Sequence, residues 1–207
     1  MVQYCVLTGD LVASSDLTST DVDAALTTIE TAATAMSGWR TPKLSTQFAR
    51  RGGDAWQVAL SEPSLALRAA LYIQACLRRD TNGVTTRIAL ATGPGTLPDS
   101  GDLNAAHGPV FVASGRLLDT LSRQTLLAHA SGGATHAATR LADHIAAGWT
   151  QAQSRTMAAV LPPDAPNRAD IAKSFGISRQ AVNQALWSAG YPAIADALSA
   201  LETENGK

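Results

Sequence analysis

A chain of 207 residues can fill one large core and a small second unit, and 45% hydrophobic with 16% charged residues is the make-up of a globular protein, which excludes a disordered tail or a collagen-like polymer. A formal net charge of −1 gives no global pull toward nucleic acid, so any DNA binding must come from a local patch. The opening residues MVQYCVLTGD lack the basic start, apolar stretch and cleavage site of a signal peptide, and no later run of about 18 apolar residues could span a bilayer, so a cytoplasmic location without membrane contact is expected.

The apolar, β-branched run Gln3–Thr8 predicts a strand ended by Gly9-Asp10. Thr20 and Asp23 have the spacing of a capping box, and Val22, Leu26, Ile29, Ala33 and Met36 recur at helical spacing, which predicts a helix over Asp21–Ser37. Two short strands, Gln47–Arg50 and Ala55–Leu60, flank the bend Arg51-Gly52-Gly53-Asp54 and form a hairpin. A helix over Ser64–Arg79 follows, then a strand over Thr85–Ala91 broken by Gly93-Pro94-Gly95, and a loop to Gly108. Val110–Leu121 is predicted helical, Thr125–Ala130 a strand, and Ala134–Trp149 a helix that buries Ala138, Leu141, Ile145 and Trp149. The order βαββαβαβα suits an α+β domain over residues 1–149, with an antiparallel or mixed sheet and helices on one face in a ferredoxin-like or palm-like arrangement.

Composition shifts after Trp149, and residues 150–207 are expected to form an all-α unit. Thr150–Leu161 is a short helix, Pro162-Pro163-Asp164-Ala165-Pro166 a rigid connector, and Asn167 a cap for a helix from Arg168 to Phe175. Ala172, Gly176, Ser178, Val182 and Leu186 then fit the spacing of a helix-turn-helix. Ala172 lets two helices approach, Gly176 permits a left-handed turn, Ser178 caps the second helix, and Val182 and Leu186 bury its inner face. Ser178, Arg179, Gln180, Asn183 and Gln184 are the candidate DNA-binding residues, since the polar side chains on the outer face can reach base edges or phosphates. From Arg155 to Gln184 the four basic residues Arg155, Arg168, Lys173 and Arg179 face two acidic ones, Asp164 and Asp170, a charge of only +2. So weak a patch makes few phosphate contacts, and useful affinity for double-stranded DNA calls for a homodimer with two readers about one helical turn apart. The apolar stripe Ile194, Leu198 and Leu201, within Pro192–Leu201, serves equally well as the dimer contact or as packing back onto the same unit.

Two acidic residues stand out in the larger part: Asp10 just after the first strand and Asp54 in the hairpin bend. If the first strand and the hairpin are sheet neighbours, both carboxylates emerge at one edge, where they could hold Mg²⁺ or Mn²⁺ on a nucleotide. Cys5 and Cys76 have no metal-ligand spacing and are expected as reduced core residues, and His107, His129, His136 and His144 share no ligand spacing either.

The segments Thr8-Gly9-Asp10-Leu11-Val12-Ala13-Ser14, Arg51-Gly52-Gly53-Asp54-Ala55-Trp56-Gln57, Arg87-Ile88-Ala89-Leu90-Ala91-Thr92-Gly93-Pro94 and Gly108 to Arg116 resemble, in that order, successive motifs of the class III nucleotidyl cyclase fold, and the whole chain resembles the SatD-like family of bacterial proteins. The second segment is similar also to the hairpin signature of diguanylate cyclases. The resemblance spans roughly the first 130 residues. It implies metal binding by Asp10 and Asp54, triphosphate contact by the backbone of Leu11, Val12, Ala13 and Ser14, a base-selecting position at Arg50, and a catalytic role for Arg116 in stabilising charge on the transferring phosphate. The pattern departs from the cyclases at Val112, where they carry a transition-state Asn, at Pro109, where they carry an acidic or polar base-selecting residue, and at Arg50, where they carry a Lys. Without that Asn a ribose-orienting group is lost, and cyclisation is not expected.

The function expected from these residues is a DNA-binding transcriptional regulator whose degenerate cyclase-like domain senses a nucleotide or mediates dimerisation. The alternative is a metal-dependent nucleotidyl cyclase or related phosphoryl-transfer enzyme that its helix-turn-helix merely localises, and the third reading is a partner-binding protein in which Asp10 and Asp54 are ordinary turn residues.

Overall fold

Strand alternation gives the central sheet two chemically different faces, and the rest of the chain is arranged around that difference. In the computed structural model, which describes residues 2–122 and 124–204, strand β1 (Val2–Leu11) pairs antiparallel with β3 (Ala55–Leu60) on one side and β4 (Thr86–Gly95) on the other. Strand β2 (Thr46–Arg50) pairs antiparallel with β3, and β5 (Leu127–His129) adds parallel to β4, for the order β2-β3-β1-β4-β5. With helices α1 (Ser19–Met36) and α2 (Ala66–Asp80), the first four strands make the split βαβ arrangement of a ferredoxin-like fold, so the chain is α+β as expected.

Several local expectations shift. The capping box of α1 is Thr18 with Asp21, not Thr20 with Asp23: the Thr18 hydroxyl accepts from the Asp21 N–H and the Asp21 carboxylate accepts from Thr18 N–H. Asp23 is thereby free to reach Arg50 on β2. Strand β4 runs through Gly93-Pro94-Gly95 instead of breaking there; β5 leaves that stretch of β4 uncovered on its outer side, where a proline without an N–H is tolerated.

Residues Cys5, Leu7, Leu11, Trp56, Val58 and Leu60 point to the face covered by α1 and α2. Gly9 lies on this face because the indole of Trp56 crosses it: a Cβ there would stand 2.5 Å from Trp56 Cζ2 and 2.5 Å from the Arg87 carbonyl oxygen. The Trp56 indole N–H donates to Thr86 Oγ1 at 2.9 Å, so the buried ring is satisfied. Helices on one face only was the expectation, and here the structure differs. Helix α3 (Pro109–Thr120) covers the opposite face, where Val6, Ala49, Ala59 and Ala91 leave room for Val110 and Phe111. Helix α4 (Gly133–Ala147) returns to the first face but buries Thr139, Ala142, Asp143 and Ala146, and Leu141 is 68% exposed where burial was expected. The seam is rotated because Arg140 and Asp143 pair with each other and hydrogen-bond the Leu126–Leu127 backbone of the strand end.

Helices α5 (Gln151–Val160), α6 (Arg168–Phe175), α7 (Arg179–Ser188) and α8 (Tyr191–Glu204) share the first face's core, one buried apolar cluster running from Leu26 and Ile73 through Met157 to Val182 and Leu198. Polar ties reinforce it. Arg68 on α2 donates to both carboxylate oxygens of Glu202 and to the Leu161 carbonyl, and the Trp149 indole donates to the Ala189 carbonyl at 2.8 Å. Ile194, Leu198 and Leu201 are all buried within this cluster, so the stripe packs back on its own chain.

Candidate functional site

The face beneath α3 carries an unusual series for a sheet interior. Alternation puts Thr8 and Asp10 of β1, Gln57 of β3 and Arg87 of β4 on it, among small residues such as Ala59 and Ala91. Ser114 on α3 is fully buried and its hydroxyl lies 2.8 Å from Thr8 Oγ1. Gln57 donates to the same Thr8 oxygen at 2.9 Å and accepts from Arg51 at 2.6 Å, so the chain Arg51–Gln57–Thr8–Ser114 links hairpin, central strand and α3.

Asp10 and Asp54 lie at the same end of the sheet. Asp10 pairs across the ladder with Ala55, the neighbour of Asp54, and with Arg87 on the other side. The Arg87 guanidinium decides the chemistry there. Its Nε donates to Asp10 Oδ1 at 2.8 Å and its Nη2 to Asp10 Oδ2, while Nη1 donates to the Leu121 carbonyl at 2.8 Å. The bond to Asp10 holds Arg87 above the usual arginine range, aided by the nearby charge of Asp54.

Just past Asp10 the backbone turns sharply. Val12 N–H is taken by the Thr85 carbonyl, Ala13 adopts φ 52° in the left-handed region, and a 3-10 turn begins at Ser14. The backbone from Ala13 to Ser15 thus follows directly on the carboxylate end of the sheet. The Leu11 side chain is buried in the core beneath α1 and α2.

Two other candidates lie elsewhere. Arg50 shares the α1 face with Phe48 and pairs with Asp23 at 2.6 Å, on the opposite side of the sheet from Asp10. Arg116 is exposed: α3 turns Val110, Phe111, Ser114 and Leu118 inward, which leaves Val112 and Arg116 on its outer face. An in-chain constellation of Asp10, Asp54, Arg50 and Arg116 therefore does not form.

For Mg²⁺ or Mn²⁺ the donor set does not fit. Both oxygens of Asp10 already accept from Arg87, Asp54 is a single further carboxylate, and no group of three His, Cys, Asp or Glu suited to a metal occurs among the described residues. Reading the chain by motif missed Arg87, Gln57 and Ser114. The signal was in the strand alternation, since an arginine and a glutamine on the small-residue face of central strands must find buried partners.

In the C-terminal helices, the Asn167 side chain accepts from Ala169 and Asp170 N–H to start α6, and Gly176, at φ 68°, ends it with its N–H on the Ala172 and Lys173 carbonyls. Ser178 accepts from Ala181 N–H to start α7, whose Val182 and Leu186 are buried. Arg179, Gln180 and Gln184 are exposed, while Asn183 is half-buried and accepts from Arg168 at 3.0 Å. On the same outer stripe, at seven residues from Gln180, stands Trp187, 70% exposed, a residue the spacing argument did not single out.

No family model matches the chain, and no curated protein does. Among solved structures it is similar to the non-canonical dimeric guanylyl cyclase domain of the RhoGC fusion protein from the aquatic fungus Blastocladiella emersonii, at 20% identity and a TM-score of 0.38 over 58% of this chain and 75% of that one. Among the described residues, no helix is long and apolar enough to cross a membrane.

Proposed function

We propose that the chain is a DNA-binding transcriptional regulator, in which residues 150–207 read DNA as a helix-turn-helix and residues 1–149 form a degenerate cyclase-like platform that senses a nucleotide or mediates dimerisation. The observation that carries the reading is the pair α6 and α7: capped by Asn167 and Ser178, joined through a left-handed Gly176, and offering Arg179, Gln180 and Gln184 to solvent from one face of α7. Asn183 joins that face indirectly, since its amide oxygen holds the exposed Arg168, whose guanidinium chemistry suits a phosphate.

The nucleotide reading draws on the tight turn just past Asp10, where Ala13 is left-handed and a 3-10 turn begins at Ser14, a backbone geometry that can present successive N–H groups to a phosphate oxygen. Phosphoryl transfer within one chain is disfavoured, because Arg116 on the outer face of α3 could reach a ligand at Asp10 only from a second chain. Dimerisation stays part of the proposal on grounds of affinity, and its surface is not the α8 stripe, which is spent on the chain's own core.

Selection of genomic fragments with the purified full chain tests the reading. Each base contact is worth about 1–3 kcal/mol, so Arg179→Ala with Gln180→Ala should weaken the selected site by at least about 30-fold. Both side chains are exposed, so melting should be unchanged. Trp187 supplies a built-in reporter: Trp39, Trp56 and Trp149 are at most 5% exposed, so a fluorescence change on adding DNA comes from Trp187. A wild-type chain that enriches no sequence would sink the regulator reading.

A further inference from the structure

A cation held against a carboxylate at a strand end need not be a metal ion. At the end of the sheet where Asp10 and Asp54 lie, the guanidinium of Arg87 takes both oxygens of Asp10 through its Nε and Nη2 and is tied down by a third bond, from Nη1 to the Leu121 carbonyl. Its side chain is 23% exposed and that of Asp10 is 20% exposed, so the pair is largely withdrawn from water. The field of Asp54 also acts on Arg87. We infer that Arg87 is the resident cation of this site, replacing a divalent metal ion, so that Asp10 does not ligate Mg²⁺ or Mn²⁺ and any phosphate held beside it is held without one.

Three physical points support this. A small divalent cation needs carboxylate oxygens at about 2.0–2.1 Å, and each oxygen of Asp10 already has one lone pair engaged by the guanidinium in the bidentate form that arginine makes best, whose positive charge opposes a second cation beside it. Ejecting Arg87 would strand a guanidinium beside the incoming metal and leave the Leu121 carbonyl without its donor. With Arg87 in place, Asp10 and Asp54 together leave one uncompensated negative charge, too little to draw a divalent ion from water. Arg87 is anchored by the fold at both ends of its contact set, since Asp10 and Arg87 are register partners in the β1–β4 ladder.

The statement about phosphate rests on the nucleotide reading above; the statement about the metal does not. The test uses Mn²⁺ alone, followed by the electron paramagnetic resonance signal of free Mn²⁺, with the full chain. Wild-type protein should leave the signal undiminished at millimolar Mn²⁺. Arg87→Gln should expose Asp10 and take up one Mn²⁺ per chain, and Asp10→Asn added to it should abolish that uptake. If Arg87→Gln does not fold by circular dichroism, Arg87→Met replaces it; with either variant, a wild-type chain that binds Mn²⁺ tightly and loses it in Asp10→Asn overturns the inference. Calorimetry with GTP and with ATP forms the second arm. Equal affinity in EDTA and in Mg²⁺ supports metal-free binding, and affinity present only with Mg²⁺ overturns it. No heat with any nucleotide in either buffer removes the nucleotide reading, while the Mn²⁺ arm still decides the role of Arg87.

Discussion

His129 closes the last strand of the sheet in a position where a proton is unwelcome, and this gives the fold a definite pH dependence. Its ring is 3% exposed and borders a cavity of about 100 Å³ with Ser64, Thr92, Ser131 and Thr135. The Nδ1 atom faces the Ser131 N–H at 3.1 Å and the Ser131 hydroxyl at 2.9 Å, and the His136 ring hydrogen-bonds the His129 carbonyl. Burial, with the charge of His136 second, pushes the His129 value down from 6.5 to about 4. For a histidine depressed in the fold, the unfolded chain takes up the proton first. Stability is therefore complete above pH 6.5, falls as pH drops toward 4, and levels off below that. The interval corresponds to about 3 kcal/mol, which for a chain of this length is roughly 6–12 °C in Tm. The perturbation is His129→Asn, which keeps an acceptor for Ser131 and removes the titration. Urea melts of both proteins from pH 7.5 to pH 4 isolate the term as the difference between them, so that carboxylates common to both cancel. The variant should lose ground at neutral pH and regain it as the pH falls. A difference that stays flat across the window would refute the assignment of the shift to this ring.

Two further outcomes follow from packing. Gly9→Ala places a methyl group 2.5 Å from Trp56 and from the Arg87 carbonyl, neither of which can yield freely; it should cost about 1–3 kcal/mol in a chemical melt and lower Tm by several degrees, and an unchanged melt would show that β1 and Trp56 are less closely packed than described. The fragment 150–207 should show no cooperative thermal transition by circular dichroism, because Met157 and Leu161 belong to the core shared with α2 and Arg68 lies outside the fragment; a sharp transition would refute the dependence on that shared core.

How much of this was written in the sequence varies with the range of the interaction that settles it. Strand and helix periodicity located the strands and the helices up to α7, and the four antiparallel strands took the arrangement expected of βαββαβ order. The caps at Asn167 and Ser178 and the turn at Gly176 were legible because each is satisfied within a few residues of itself. Longer-range choices were not. Thr18 took the cap of α1 in place of Thr20, which left Asp23 to Arg50, and Leu141 lost its place in the core of α4 because Asp143 pairs with Arg140 at the strand end. Two acidic residues near strand ends could be named from motif and spacing, but whether they were open to a cation depended on what the neighbouring strand set against them.

The amino-acid sequence by itself determined the caps and turn that join α6 and α7, the strands and the candidate carboxylates, since these follow from local periodicity and backbone preference. Only the tertiary structure decided that Arg87 claims Asp10, that Arg50 and Arg116 face away from it, and that the last helix is buried in its own chain. Those outcomes depend on strand register and on which face of an element meets which neighbour. Register is a property of the assembled sheet, where a single-residue slip would exchange the two faces and with them every partner at the site.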